Sequence, residues 1–179
     1  GMMTPEGVMV MPRLEGLEAF IPMNPRILIL GSFPGTESLE KHEYYAKSSN
    51  RFWNLIGEVF GLGELSTQNY NSKLAALKQT RIALWDVIAS CERRGALDSN
   101  IRNPVWNDIP KFLQEYGGVE KIILNGTKAA EIFTKATKTW PNGYLNSPQI
   151  AQCLSTSPAN QRYGPWETLI EVWRPCLRV

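Results

Sequence analysis

Arg26-Ile27-Leu28-Ile29-Leu30-Gly31-Ser32-Phe33-Pro34-Gly35 is the stretch that decides the fold. Four aliphatic residues follow one another without alternation, and then come residues suited to a turn. A strand with one wet face alternates. A strand apolar at every position needs cover on both faces, which a parallel sheet flanked by helices supplies. Lys121-Ile122-Ile123-Leu124 repeats the pattern and ends in Asn125-Gly126. Ile82-Ala83-Leu84-Trp85 is a third β-type run, and Ile150-Ala151-Gln152-Cys153-Leu154, interrupted by Gln152, is a fourth.

Helical spacing fills the intervals. Ser48-Ser49-Asn50 offers N-cap chemistry ahead of Phe52, Leu55, Ile56, Val59 and Phe60, a series that ends at Gly61. Residues 72–79, with Leu74 and Leu77, form a second helix. Ile109, Phe112, Leu113 and Tyr116 form a third, stopped by Gly117-Gly118. Thr127 can cap a fourth over 128–136. Pro165 can open the last, where Trp166, Leu169, Ile170 and Trp173 recur at i, i+3, i+4 and i+7. This order predicts an α/β fold, a three-layer α/β/α sandwich around a central four-stranded, mostly parallel sheet. One domain is expected over 1–179, with 1–25 as a lead-in and Gly1, ahead of Met2, a cloning remnant.

Composition narrows the function. Apolar residues make up 43% and charged residues 20%, which excludes a disordered chain. No apolar run approaches the ~20 residues of a membrane helix, and no basic-then-apolar leader opens the chain. A cytoplasmic protein without membrane contact is expected, nucleoid-associated if the cell is prokaryotic. Cys91, Cys153 and Cys176 lie far apart with no CxxC spacing, and His42, in a polar stretch, is the one histidine. Those counts argue against a disulfide framework, a metal site, an iron–sulfur cluster and a His-based triad. No cofactor is expected, and the chain is expected to be a monomer. A net charge of +2 confines any nucleic-acid site to a local patch.

In open parallel sheets, ligands bind beyond the carboxyl ends of the strands. The loops there read Gly31-Ser32-Phe33-Pro34-Gly35, then Asp86 onward to Cys91-Glu92-Arg93-Arg94-Gly95, then Asn125-Gly126-Thr127-Lys128, then Ser155-Thr156-Ser157-Pro158-Ala159-Asn160. The first lacks the Lys-Ser/Thr of a P-loop and the spacing of a dinucleotide fingerprint, which disfavours a Rossmann enzyme. Lys41, Lys47, Arg51, Arg93, Arg94, Arg102, Lys128 and Arg162 cluster in these loops, interleaved with Phe33, Tyr44, Tyr45, Phe52 and Tyr163. Such a set can hold a phosphate backbone and stack a base, or it can be a solvated rim. Individual residues carry similar alternatives. Asn50 is a helix cap or a catalytic amide, Tyr45 a packing residue or a stacking platform, and Phe33 core or pocket wall. Asp86 caps a turn or accepts a ring N–H. Asn125 shapes a turn or offers a base edge a donor and an acceptor together.

Three of these stretches also carry a resemblance. Gly31-Ser32-Phe33-Pro34-Gly35, Tyr44-Tyr45-Ala46-Lys47-Ser48-Ser49-Asn50-Arg51-Phe52-Trp53 and Ser155-Thr156-Ser157-Pro158-Ala159-Asn160 resemble the uracil-DNA glycosylase superfamily. Asn-Arg-Phe-Trp looks like the mismatch-specific G·U/G·T enzymes, and Gly-Ser-Phe-Pro-Gly is most similar to the hypoxanthine-DNA glycosylase branch. The resemblance implies a metal-free, monofunctional enzyme that flips a deaminated base, hypoxanthine or uracil, out of DNA and hydrolyses its N-glycosidic bond. It implies Asn50 and Ser155 as catalytic residues. Gly31, Ser32, Phe33, Tyr45, Asp86 and Asn125 would form the base pocket. Pro34, Gly35, Lys128, Ser157, Pro158, Ala159, Asn160 and Arg162 would meet DNA. Phe33 stands where most relatives place a water-positioning Asp or Asn, so Asn50 is the replacement. Ser155 stands where many have His or Asn, and Ala159 where the duplex wedge is usually Leu. A catalytically silent nucleic-acid-binding module on this fold, or a small-molecule hydrolase, are the competing expectations.

Overall fold

A computed structural model of the chain describes residues 2, 3, 7, 9, 10, 12–95, 97–141, 148–158 and 165–178. The lead-in carries β1 (Met2–Met3) and β2 (Met9–Val10), which pair antiparallel, then β3 (Arg13–Glu15). The decisive stretch is β4 (Ile27–Gly31), followed by α1 (Thr36–Lys41), α2 (Phe52–Phe60) and α3 (Tyr70–Lys78). Then come β5 (Ile82–Asp86), β6 (Ile88–Arg93), β7 (Ile101–Trp106) and α4 (Ile109–Glu115). The chain closes with β8 (Lys121–Asn125), α5 (Thr127–Thr137), β9 (Gln149–Cys153) and α6 (Trp166–Cys176).

The central sheet runs β5-β4-β8-β9 with every pairing parallel, as expected. Alternation along a strand sends neighbouring residues to opposite faces. Ile27 and Ile29 of β4 join Ile82, Leu84 and Ile123 under Phe52, Trp53, Ile56, Leu77, Leu169 and Trp173, the cover given by α2, α3 and α6. Leu28 and Leu30 join Ala83, Ile122 and Leu124 under Ile109, Phe112, Ile132 and Phe133, the cover given by α4 and α5. Leu28, Ile29 and Leu30 are fully buried, each worth about 1.5–3 kcal/mol by removal from water. Two helical layers around one sheet explain why the run never alternates.

The region after Asp86 differs from the expected loop. β6 begins two residues later and pairs antiparallel with β3 on one side and β7 on the other, forming a second, three-stranded sheet. Ser90-Cys91-Glu92-Arg93 looks polar, yet Ser90, Cys91 and Arg93 are buried, and β7 carries an internal Pro104 that only an edge strand tolerates. Thr127, expected as a cap, is the first residue of α5; Gly126 holds the N-cap position. Pro165 does stand at the mouth of α6, as its N-cap. Among the described residues, no helix is long and apolar enough to cross a membrane.

Candidate active site

Parallel register brings the strand ends together. Gly31 of β4 lies beside Asp86 of β5, and Asn125 of β8 lies beside Cys153 of β9, two residues before Ser155. Gly31 is glycine for a steric reason: a Cβ there would stand 2.6 Å from the Asp86 carboxylate oxygen Oδ1. The carboxylate is buried over this strand end, and Asn107 Nδ2 donates to the Asp86 carbonyl at 2.8 Å. Gly126 is glycine for two reasons. Its φ is +103°, and a Cβ would sit 2.8 Å from the Ser155 Cβ. The third and fourth loops therefore touch through a residue with no side chain.

Asn125 locks that contact. Its Oδ1 accepts from the Thr156 N–H at 3.0 Å, and its Nδ2 donates to Thr156 Oγ1 at 3.1 Å and to the Tyr45 hydroxyl at 3.3 Å. Both amide N–H donors are thus spent within the protein. Thr156, only 1% exposed, also accepts from the Arg51 N–H at 3.0 Å through its carbonyl. Residues 45 and 51 of one segment are thereby tied to residues 125 and 156 of two others in one hydrogen-bonded cluster.

The 44–53 segment is held firmly. Tyr44 donates its hydroxyl to the Glu18 carbonyl at 2.8 Å, takes Trp53 Nε1 on its own carbonyl at 3.0 Å, and gives its N–H to the Tyr70 hydroxyl. Tyr45 adopts φ +55°, which a side-chain-bearing residue rarely does, and its ring stacks on Phe52 with centroids 4.0 Å apart. Burial pushes the Tyr45 phenol pKa upward, the Asp86 charge adds to the rise, and the Asn125 bond opposes it. Burial followed by Asp86 raises Tyr44 as well. Both phenols are neutral groups at any physiological pH.

Asn50 accepts the Phe52 N–H on its Oδ1 at 2.9 Å, but Arg51 and not Asn50 holds the N-cap position of α2, so the bond closes a turn just ahead of the helix instead of the cap read from the sequence. Its Nδ2 meets no acceptor among the described residues. Ser155 Oγ accepts from the Ser157 N–H at 3.1 Å. Phe33 is 6% exposed and packs into the second apolar cluster, so its ring is core, with the Arg93 guanidinium 5.2 Å above it. Ser32 is likewise buried. Arg93, read as part of a basic rim, is only 5% exposed and gives its guanidinium to the Pro34 and Gly95 carbonyls at 2.7 and 2.8 Å. Lys128 lies half-buried beside Glu131 at 3.8 Å. Gly35 is the N-cap of α1, and Ser157 and Pro158 follow Thr156 on the last loop. Ala159, Asn160 and Arg162 lie outside the described residues. Among the described residues, no three His, Cys, Asp or Glu side chains are grouped to hold a metal ion.

Sequence reasoning missed Thr156 and the Arg51 backbone. A threonine in a loop carries no periodic signal, and its partner Asn125 is 31 residues away. The Asn-Gly pair at 125–126 was the available clue, because a glycine flanking a strand-end polar residue also marks a close approach.

Residues 18–174 match the uracil DNA glycosylase superfamily. The chain belongs to that superfamily. It is 37% identical over 117 residues to a hypoxanthine DNA glycosylase of Methanosarcina barkeri (strain Fusaro), an alignment covering 65% of this chain and 73% of the relative. A hypoxanthine DNA glycosylase of Methanosarcina acetivorans is 40% identical over the same shares. A solution NMR structure from Methanosarcina acetivorans, described there as a candidate uracil DNA glycosylase, superposes with a TM-score of 0.76 at 32% identity, covering 93% of this chain and 98% of the other. The strand-end loops of this DNA glycosylase are cross-linked by hydrogen bonds. For a uracil-DNA-glycosylase-like enzyme the useful property is rigidity: groups held in place need no reorganisation as charge develops.

Proposed function

We propose that this enzyme flips a deaminated base, hypoxanthine or uracil, out of DNA and hydrolyses its N-glycosidic bond. The observation that carries the reading is the buried Asp86 carboxylate against Gly31, beside the Tyr45–Asn125–Thr156 cluster. Deamination makes the same change in adenine and in cytosine. A bare ring nitrogen becomes N–H and the neighbouring amine becomes a carbonyl. A carboxylate accepts from that N–H and repels the bare nitrogen of the parent base, so one acceptor sorts both damaged bases from both normal ones. The hypoxanthine activity named for the two Methanosarcina relatives supports the purine arm.

Extrusion costs a few kcal/mol, offset by stacking in the pocket, where Tyr45 is the aromatic beside the strand ends. Breaking the bond from the sugar carbon to the base nitrogen leaves the electron pair on the base and positive charge on the sugar. The Asn50 Nδ2 and the Ser155 hydroxyl supply neutral donors for the departing anion or the attacking water. Water then bonds to the sugar carbon, and its proton ends on the released base. The DNA keeps an abasic site. Pro34, Gly35, Lys128, Ser157 and Pro158, with Ala159, Asn160 and Arg162, meet the strand on either side.

The test is a panel of duplexes and single strands, each carrying one hypoxanthine, uracil, xanthine or undamaged base, treated with enzyme and then with alkali. Strand cleavage at hypoxanthine and uracil, and none at adenine or cytosine, is expected. Absence of cleavage at every lesion, with DNA still bound, would replace this reading with that of a silent binding module.

A further inference from the structure

Residues 93–102, from the last residue of β6 into the start of β7, carry three arginines, Arg93, Arg94 and Arg102, against one acid, Asp98. The base of this β6–β7 hairpin is hydrogen-bonded to the first strand-end loop, Val87 N–H to the Gly31 carbonyl at 2.9 Å and Ile88 N–H to the Ser32 carbonyl at 3.1 Å. Nearer the tip, the buried Arg93 guanidinium reaches the Pro34 carbonyl and lies over Phe33. The hairpin therefore leans along the first loop and is fixed to it at both ends. Arg94 and Arg102 are exposed. Leu97 is 63% exposed at the tip, and Val105 on β7 is 53% exposed, so the hairpin carries two of the five large apolar side chains left in water among the described residues.

We propose that this hairpin is a second DNA-contacting element, with Arg94 and Arg102 on backbone phosphates and Leu97 against the bases. This rests on the glycosylase reading above. The occupant follows from charge and place. β5, which feeds the hairpin, is one edge of the central sheet, and β9, which feeds the last loop, is the other. Three strand spacings separate them, about 14–15 Å. That is about four stacked nucleotides of one strand. A strand lying across the carboxyl edge, its target base at the centre, thus meets the last loop on one flank and the hairpin on the other. An apolar tip between arginines suits that flank, where it can press on unstacked bases while the cations hold the phosphates.

The experiment uses the full chain with Arg94→Gln/Arg102→Gln and, separately, Leu97→Ser. All three positions are exposed, so folding is checked only by matching melting curves. Affinity for an undamaged duplex is read by fluorescence anisotropy across a salt series. The double variant is expected to bind about tenfold more weakly, with a salt slope shallower by up to about 2. Leu97→Ser is expected to excise hypoxanthine about tenfold more slowly from a paired duplex and at the parent rate from a single strand. Unchanged affinity and slope in the double variant would overturn the proposal, as would a Leu97→Ser enzyme that matches the parent on paired duplex or is slowed equally on both substrates. Binding to undamaged DNA needs no excision. If the parent fails to excise hypoxanthine, the substrate reading falls while the anisotropy arm decides the hairpin alone.

Discussion

The Asn50 amide oxygen is committed to the Phe52 N–H, so an alanine there removes the bond that holds the first residue of α2 as well as a donor. The two losses differ in kind. A lost hydrogen bond of that kind costs about 1 kcal/mol of stability and leaves chemistry nearly intact. A lost preorganised donor costs about 10²–10³-fold in rate. Asn50→Ala is expected to show both, as a lowered melting temperature and a single-turnover rate down by that factor. Asn50→Ser, which keeps an oxygen for the Phe52 N–H and lacks the amide, is expected to recover stability without recovering rate. A folded Asn50→Ala enzyme with a near-parental rate would leave the bond to Phe52 as the whole role. Asn50 was legible in the sequence because it stands before an apolar helical series within a family stretch. Thr156 was not, since burial at 1% and a bond to a residue 31 positions away are tertiary facts.

At the scale of elements, the four central strands and five of the helices were readable because continuous apolar runs and 3.6-residue spacing leave marks in the chain. The β6–β7 hairpin left none. Its polar-looking strand is buried against Phe33 and its partner is an edge strand with Arg102, Asn103, Pro104 and Val105 exposed, so neither carries clean alternation. α1, six residues long, is too short for a periodic signal. The α5 entry shows how an element sets the site. Gly126 occupies φ +103° and leaves no space for a methyl group against Ser155. Gly126→Ala is expected to strain the turn by at least about 1 kcal/mol and to push Ser155 aside. Displacing a reacting group by about 1 Å can cost on the order of 10²-fold. The expected outcome is therefore a kcat reduced far more than the small drop in melting temperature, measured by single-turnover kinetics beside a thermal melt. Equal activity in that variant would show that Ser155 has no part in the reaction.

Over the whole molecule, two buried phenols make stability depend on alkaline pH. Burial, then the Asp86 charge, raises Tyr44 and Tyr45 above their ordinary value of 10, so above that pH the unfolded chain loses protons that the folded chain retains. Stability from these groups is complete below pH 10 and declines as pH rises past it. Urea midpoints are expected to fall above pH 10, and Tyr45→Phe is expected to lessen the slope. A flat profile would mean that the phenols are not shielded from water. The cluster joining Tyr45, Arg51, Asn125 and Thr156 has a further consequence, for heat. It draws its members from three segments far apart in the chain, and they come together only when the central sheet is assembled. No loop in it has a private melting point. Excision activity is expected to vanish in the same transition as the far-ultraviolet signal on warming, with no earlier, inactive plateau. The site is switched off only by taking the sheet apart.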